Sequence, residues 1–201
     1  MNSIARIGRD FDESTSPTLL DRIRASDSGA WRRFVELYGP TIFGWARRAA
    51  LQPHDAADVT QEVFRAVAGS ITRFRRDRPT DSFRAWLRTI TANKVSDLFR
   101  RRPNHLVGSS DVDDLLAQIP DAEEGTSGQA SQAATDLAHR ALELIRTEFE
   151  PTTWQAFLEC VVDGRTPQET ACRLGLTVAA VYKAKSRVLI RLRREFDGLL
   201  D

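Results

Sequence analysis

The sequence predicts an all-α protein made of two small helical domains joined by a flexible acidic linker. Apolar residues recur at i, i+3 and i+4 through 17–102 and again through 136–198, with few alternating β-branched runs. Between these stretches, 103–135 combines Pro103, Pro120, Gly108, Gly125 and Gly128 with Ser and Asp, a composition that suits a linker. Charge divides the same way. Residues 1–102 carry 19 Lys and Arg against 12 Asp and Glu; 103–135 carry none against 6; 136–201 carry 10 of each. The net charge of +1 therefore hides two basic surfaces separated by an acidic strap.

Residues 1–16 read as a flexible tail. Ser16-Pro17 opens a first helix over 18–24. A second spans 27–39, with Trp31, Phe34, Val35 and Tyr38 on one face, and a third spans 40–51 with Phe43 and Trp45. A fourth runs from 54 or 55 to about 71, followed by the Arg- and Asp-rich loop RFRRDRPTD. Asp81 or Ser82 caps the last helix of this domain, which reaches Arg101 and stops at Pro103. Its core stripe is Phe83, Trp86, Leu87, Ile90 and Leu98. One helical turn around 112–118 is expected inside the linker.

Several function classes fall away at this level. No run of about 18 apolar residues is present to span a membrane. Asp10, Asp12 and Glu13 stand where a secretion signal needs apolar residues, so a cytoplasmic location is expected. Cys160 and Cys172 lie in helical patterns and read as buried free thiols. His54, His105 and His139 are scattered, and there are no paired Cys/His ligands, phosphate loop or nucleophile motif. Asp111, Asp113 and Asp114 lack EF-hand spacing and read as linker solubility. No catalytic residue, metal, cofactor or small-molecule substrate is expected.

The most specific local pattern is TPQETACRLGLTVAAVYKAKSRVLIRLRR. A helix-turn-helix needs a small residue where its helices touch and a glycine in the turn, with apolar residues beside it. Ala171 supplies the first; Leu174, Gly175 and Leu176 form the turn; Thr177 can cap the second helix, and Val181 packs it back. All seven charged residues from Arg173 to Arg194 are basic. Lys183, Arg187, Arg191 and Arg194 share one face, and Ala179, Tyr182, Lys183 and Ser186 lie outward near the helix start, where base edges are met. Arg173 falls where phosphates are met. By itself the motif means DNA binding, which repressors and activators share.

Two earlier segments narrow the reading. On the helix HDAADVTQEVFRAVAGSITRF, Asp55, Asp58, Gln61, Glu62 and Arg65 form a polar, mostly acidic stripe opposite Val59, Val63 and Val67. The order D-A-A-D-V-x-Q-E-V-F resembles the segment with which sigma-70-type factors grip the β′ clamp helices of RNA polymerase. The pattern F-R-A-W-L-x-x-I-x-x-N-x-x-x-D, within a helix carrying six basic residues and one acid over 84–102, is similar to the sigma segment that melts and captures the minus-ten element. The resemblance assigns Arg84, Arg88, Asn93, Lys94, Arg100 and Arg101 to minus-ten DNA. It places Asn93 beside the pocket for a flipped-out base, where an amide can both donate and accept. Trp86, Trp31, Trp45 and Trp154 read as core packing.

The resemblance covers 18–102 and 137–196 and is to the extracytoplasmic-function group of sigma factors. The opening segment, TTWQAF and AVYKAKSRVLIRLR are also similar to planctomycete-type members. It implies a sigma domain two over 17–102, the linker over 103–135 and a sigma domain four over 136–201, without a domain three. Domain four would bind the β flap and read the minus-thirty-five element through Arg173, Thr177, Ala179, Tyr182, Lys183, Ser186, Arg187 and Arg191. Core polymerase and promoter DNA are the implied partners, and an anti-sigma factor a further candidate. The linker would thread toward the polymerase active centre. The run from Tyr182 to Arg187 departs from the Arg-Ser-Arg-like series of many members, so base preference does not carry over. The competing reading, a helix-turn-helix regulator that never joins polymerase, leaves the 54–102 pattern without a purpose.

Overall fold

The computed structural model describes residues 17–75, 82–101 and 127–200, with side chains in the last stretch from residue 134. All secondary structure among the described residues is helical. The expected tail over 1–16, the Asp81 cap and the turn around 112–118 lie outside them.

The chain begins with α1 (Leu19–Arg24), whose Thr18 hydroxyl accepts from the Asp21 N–H while the Asp21 carboxylate accepts from the Thr18 N–H. Helix α2 (Ser28–Arg48) is capped by Asp27 and carries Pro40 inside it. The sequence reading of two helices meeting at Pro40 is therefore corrected. A mid-helix proline costs about 3 kcal/mol. Continuity lets one stripe bury Phe34, Leu37, Tyr38, Ile42 and Trp45, and each large apolar side chain contributes about 1.5–3 kcal/mol. Val35, expected on the inner face, is exposed.

Helix α3 (Pro53–Ser70) starts on Pro53, runs on into a 3-10 turn (Ile71–Arg73), and buries Val59, Val63 and Val67. Helix α4 (Phe83–Arg101) is capped by the Ser82 hydroxyl, which accepts from the Ala85 N–H at 3.0 Å. Its buried stripe is Phe83, Leu87, Thr91, Val95 and Phe99; Trp86, Ile90 and Leu98 are only partly covered. Phe34 lies at the centre of this unit. Trp31, Tyr38, Phe64 and Phe83 surround it at ring-centroid distances of 5.4–5.7 Å, mostly edge-on.

The second unit comprises α5 (Ser127–Ile145), a 3-10 turn (Arg146–Glu148), α6 (Pro151–Val161), α7 (Pro167–Leu174) and α8 (Val178–Phe196). The α5 backbone is already helical at Ser127, inside the stretch read as linker. Trp154, Phe157, Ala171, Val181 and Val188 are buried here. The units are in contact: α5 packs on α2, and α8 reaches α1. Leu199, just past α8, is fully buried, and its carbonyl accepts a hydrogen bond from the Tyr38 hydroxyl.

Candidate functional site

Three surfaces carry the residues singled out in the sequence. On the second unit, α7 is fixed at both ends by local chemistry. Thr166 and Glu169 close a reciprocal capping box, and bonds from the Thr166 N–H and then its hydroxyl hold the Glu169 carboxyl below the ordinary range. Gly175 ends the helix at φ +65°, in the left-handed region where a side chain is strained. The Gly175 and Leu176 N–H groups both donate to the Ala171 carbonyl, and Ala171 is buried between the helices. Thr177 then caps α8 by accepting from the Ala180 N–H at 3.1 Å. The expected helix-turn-helix is present in this form.

Along α8, Val181, Ala184 and Val188 face inward. Ala179, Tyr182, Lys183, Ser186 and Arg187 face outward, with Tyr182 59% exposed. An exposed tyrosine between Lys183 and Ala179 combines a π-face and a hydroxyl with a nearby cation, groups suited to a nucleic-acid groove. The other three candidates are placed differently. The Thr177 hydroxyl is committed to the cap. Arg173 is half exposed, with its Nε 3.3 Å from the buried Glu159 carboxylate. Arg191 lines the same face as Lys183 and Arg187 but is engaged by acids: its Nε is 2.6 Å from Glu148 and its Nη1 is 2.8 Å from Glu195.

The acidic face of α3 keeps Asp58, Gln61, Glu62 and Arg65 exposed in one patch. Within it, Arg65 pairs with Glu62 and lies 3.4 Å from the Gln61 side-chain oxygen. Asp55 does not join them, which corrects the sequence stripe. It is buried in the first turn of α3 with its Oδ1 3.3 Å from His54 Nε2, where a carboxylate also complements the helix dipole. Four residues, not five, are available to a partner there.

On α4, Asn93, Arg100 and Arg101 are exposed and Arg88 and Lys94 half-buried, while Asp97 sits 4.0 Å from Arg100. Asn93 is thus on the open face and serves neither a helix end nor the core. Arg84 is withdrawn from the set. Its guanidinium lies 6.0 Å from the Trp45 ring centroid, and burial, aided by Arg48, outweighs Tyr38 and lowers its pKa. Trp86 packs against Phe74 and Phe83 at 5.0 and 5.4 Å, in keeping with a core role. Cys172 is exposed and Cys160 half-buried, so the expectation of two buried thiols is corrected.

Sequence reasoning missed a fourth group, which joins the units. Glu195, 4% exposed as a side chain, lies 2.7 Å from Arg33 and 3.5 Å from Arg22, besides Arg191. Glu148 pairs with both Arg33 and Arg191. Apart from Arg191 and Glu195, four residues apart on α8, these partners are distant in the chain and leave no periodic signal to read.

The surfaces define a class first: a helical protein with an exposed helix-turn-helix and separate acidic and basic faces. Residues 34–104 match the family described as Sigma-70 region 2. The chain is 32% identical over 195 residues to the RNA polymerase sigma factor CnrH of Cupriavidus metallidurans, spanning 92% of this chain and 97% of that one. It is 32% identical over 186 residues to the ECF RNA polymerase sigma factor SigD of Mycobacterium tuberculosis, spanning 88% and 82% of the two chains. A solved structure of CnrH in complex with the cytosolic domain of CnrY is 25% identical, covers 87% of this chain and 92% of that chain, and superposes with a TM-score of 0.36. The chain belongs to the extracytoplasmic-function group of the sigma-70 family.

Proposed function

We propose that the protein is a promoter-specific initiation factor whose two units hold separate tasks. The first unit grips core polymerase through Asp58, Gln61, Glu62 and Arg65, a contact with the β′ clamp helices. It takes minus-ten DNA on Asn93, Lys94, Arg88, Arg100 and Arg101. The second unit reads the minus-thirty-five element through Ala179, Tyr182, Lys183, Ser186 and Arg187, with Arg173 toward a phosphate. Its groove, lined by Phe149, Trp154, Leu158 and Val162 together with the charged Arg146, Glu159 and Asp163, offers a mixed surface for the β flap. The chain catalyses nothing itself, needs no cofactor and works in the cytoplasm beside the polymerase. No helix among the described residues is long and apolar enough to cross a membrane.

The observation that carries this reading is the separation of an exposed acidic patch on α3 from the exposed basic and amide face of α4 and the outward face of α8. A regulator that bound only an operator would have no use for the first of these. The test is charge reversal of Asp58 and Glu62 to Lys. Both side chains are exposed, so helicity should persist while affinity for core polymerase falls at least tenfold, a loss of about 1.4 kcal/mol. Unchanged capture of core in a pull-down sinks the assignment. Tight binding of the free wild-type protein to a duplex operator, without core, favours the regulator instead.

A further inference from the structure

We propose that Arg48, Arg84 and Arg140 form a phosphate-binding socket along one face of α2, suited to a small multivalent anion of the pyrophosphate kind.

Helical spacing places the socket. Leu37, Thr41, Trp45 and Arg48 follow one another at intervals of four, four and three, so they line a single face of α2. Along that face, about 16 Å long at 1.5 Å per residue, three guanidiniums stand in order. Arg140 of α5 donates from Nε to the Leu37 carbonyl at 2.9 Å and from Nη2 to the Thr41 hydroxyl at 2.7 Å. Arg84 of α4 lies over the Trp45 ring, 6.0 Å from its centroid. Arg48 itself is exposed in the last turn of α2. Three elements distant in sequence thus deliver positive charge to one seam.

Acid does not match that charge. Among the described residues, neither Arg48 nor Arg84 meets a carboxylate or a carbonyl oxygen, whereas Arg47 beside them is committed to the Leu51 carbonyl. The guanidiniums also act on one another. Burial lowers the pKa of Arg84, and Arg48 adds to that against Tyr38. Burial likewise lowers the pKa of Arg140, and Arg84 adds to that against Asp136 and Tyr38. Asp136 is the one carboxylate acting on the group, so three arginines against one aspartate leave two positive charges uncompensated.

Chemistry selects phosphate. A guanidinium presents a planar fork of N–H donors that pairs with phosphate oxygens two at a time. A lone carboxylate brings one charge and two oxygens and satisfies a single fork. Pyrophosphate brings at least two charges and spreads its oxygens over several forks. Trp45 is 1% exposed, so no base can stack on it and recognition falls to the phosphates alone. The same oxygens occur along a promoter strand, and Arg88, four residues after Arg84, is assigned above to minus-ten DNA. Experiment separates these two sources, and only the strand arm rests on the sigma reading.

The test is calorimetric titration of the full chain with inorganic pyrophosphate at a fixed ionic strength of about 0.1 M, where charges further apart than about 10 Å are screened. One equivalent should bind. Arg48→Gln and Arg84→Gln should each weaken it about tenfold, while Arg193→Gln, at an exposed arginine of α8, leaves it unchanged. Arg48 is exposed, so its replacement leaves the core intact; Arg84→Lys, which keeps a charge without the fork, should lose less than Arg84→Gln. Absence of saturable binding at millimolar pyrophosphate overturns the socket. So does an equal loss in Arg193→Gln, which means diffuse charge attraction. A single-stranded minus-ten oligonucleotide then identifies the source. If it displaces pyrophosphate and Arg48→Gln weakens it, the socket takes a strand phosphate; if both bind together, it takes a free anion. Both results keep the socket, and an oligonucleotide that fails to bind counts against the minus-ten face while the pyrophosphate result stands.

Discussion

In the second unit, the helix-turn-helix is held by neighbours in sequence. Thr166 and Glu169 start α7, Gly175 ends it, and Thr177 starts α8, every partner lying within three or four residues. In the first unit, the determining contacts come from afar: Phe34 of α2 meets Phe64 of α3 and Phe83 of α4, and Arg24 donates to the Phe74 carbonyl at 2.9 Å. Local chemistry sets the shape of one unit, and ring packing sets the shape of the other. The two should therefore respond differently to the same kind of damage.

The largest effect is expected at Phe34, which is fully buried. Phe34→Ala should cost about 3–5 kcal/mol by removing a ring and leaving a cavity that four aromatic neighbours cannot fill. Denaturant titration should show the loss in the α2–α4 unit, with hydrogen exchange in α7 and α8 following only as far as the interface couples them. Equal loss of protection in both units would mean that they fold as one body, and the comparison would have to be withdrawn.

That contrast also explains what the sequence revealed. Capping residues, a turn glycine and a basic run are local, so the helix-turn-helix was legible down to the roles of Ala171, Gly175 and Thr177. The all-helical class followed from periodicity alone. The continuity of α2 through Pro40 was not legible, because local propensity argues for a break and only burial of Tyr38, Ile42 and Trp45 reverses it. Asp55 and Arg84 share helix faces with exposed polar residues in a wheel projection. In the fold Asp55 is buried in the first turn of α3, and Arg84 is half-buried over the Trp45 ring of another helix. Arg191 matches the basic stripe by spacing, and only Glu148 and Glu195 show where it goes.

A middle-sized effect comes from a pair of opposite substitutions, one in each unit. Gly175 has φ +65° and Ala50, after α2, has φ +59°, so both occupy the left-handed region. No atom beyond the local backbone stands within 4 Å of a Cβ built on Gly175, so Gly175→Ala is opposed by conformation alone and should cost about 1 kcal/mol. Ala50→Gly should stabilise by up to about the same amount, since the exposed alanine there makes no packing contribution to lose. Thermal unfolding should separate them in sign. Matching signs would mean that the left-handed strain is not what these positions contribute.

The smallest effect concerns the contact between the units and its response to acid. Burial pushes the Glu195 carboxyl up, but Arg191 and Arg33 outweigh it and the net shift is downward from 4.5. A lowered carboxyl stabilises the folded form above its ordinary range, and that contribution is lost as pH falls through the lowered value. The charged groups facing it are Arg22, Arg33 and Arg191, with Glu148 behind them, and the arginines keep their charge throughout. The radius of gyration should therefore stay constant from about pH 8 to about pH 5 and increase only below the usual carboxylate range near 4. Expansion near pH 6 would point to a histidine, and Glu195 would then not be the group that holds the units together. Salt should act more readily than acid, because Arg191 and Glu148 remain partly open to solvent and their pairing is screened within about 10 Å at 0.1 M ionic strength.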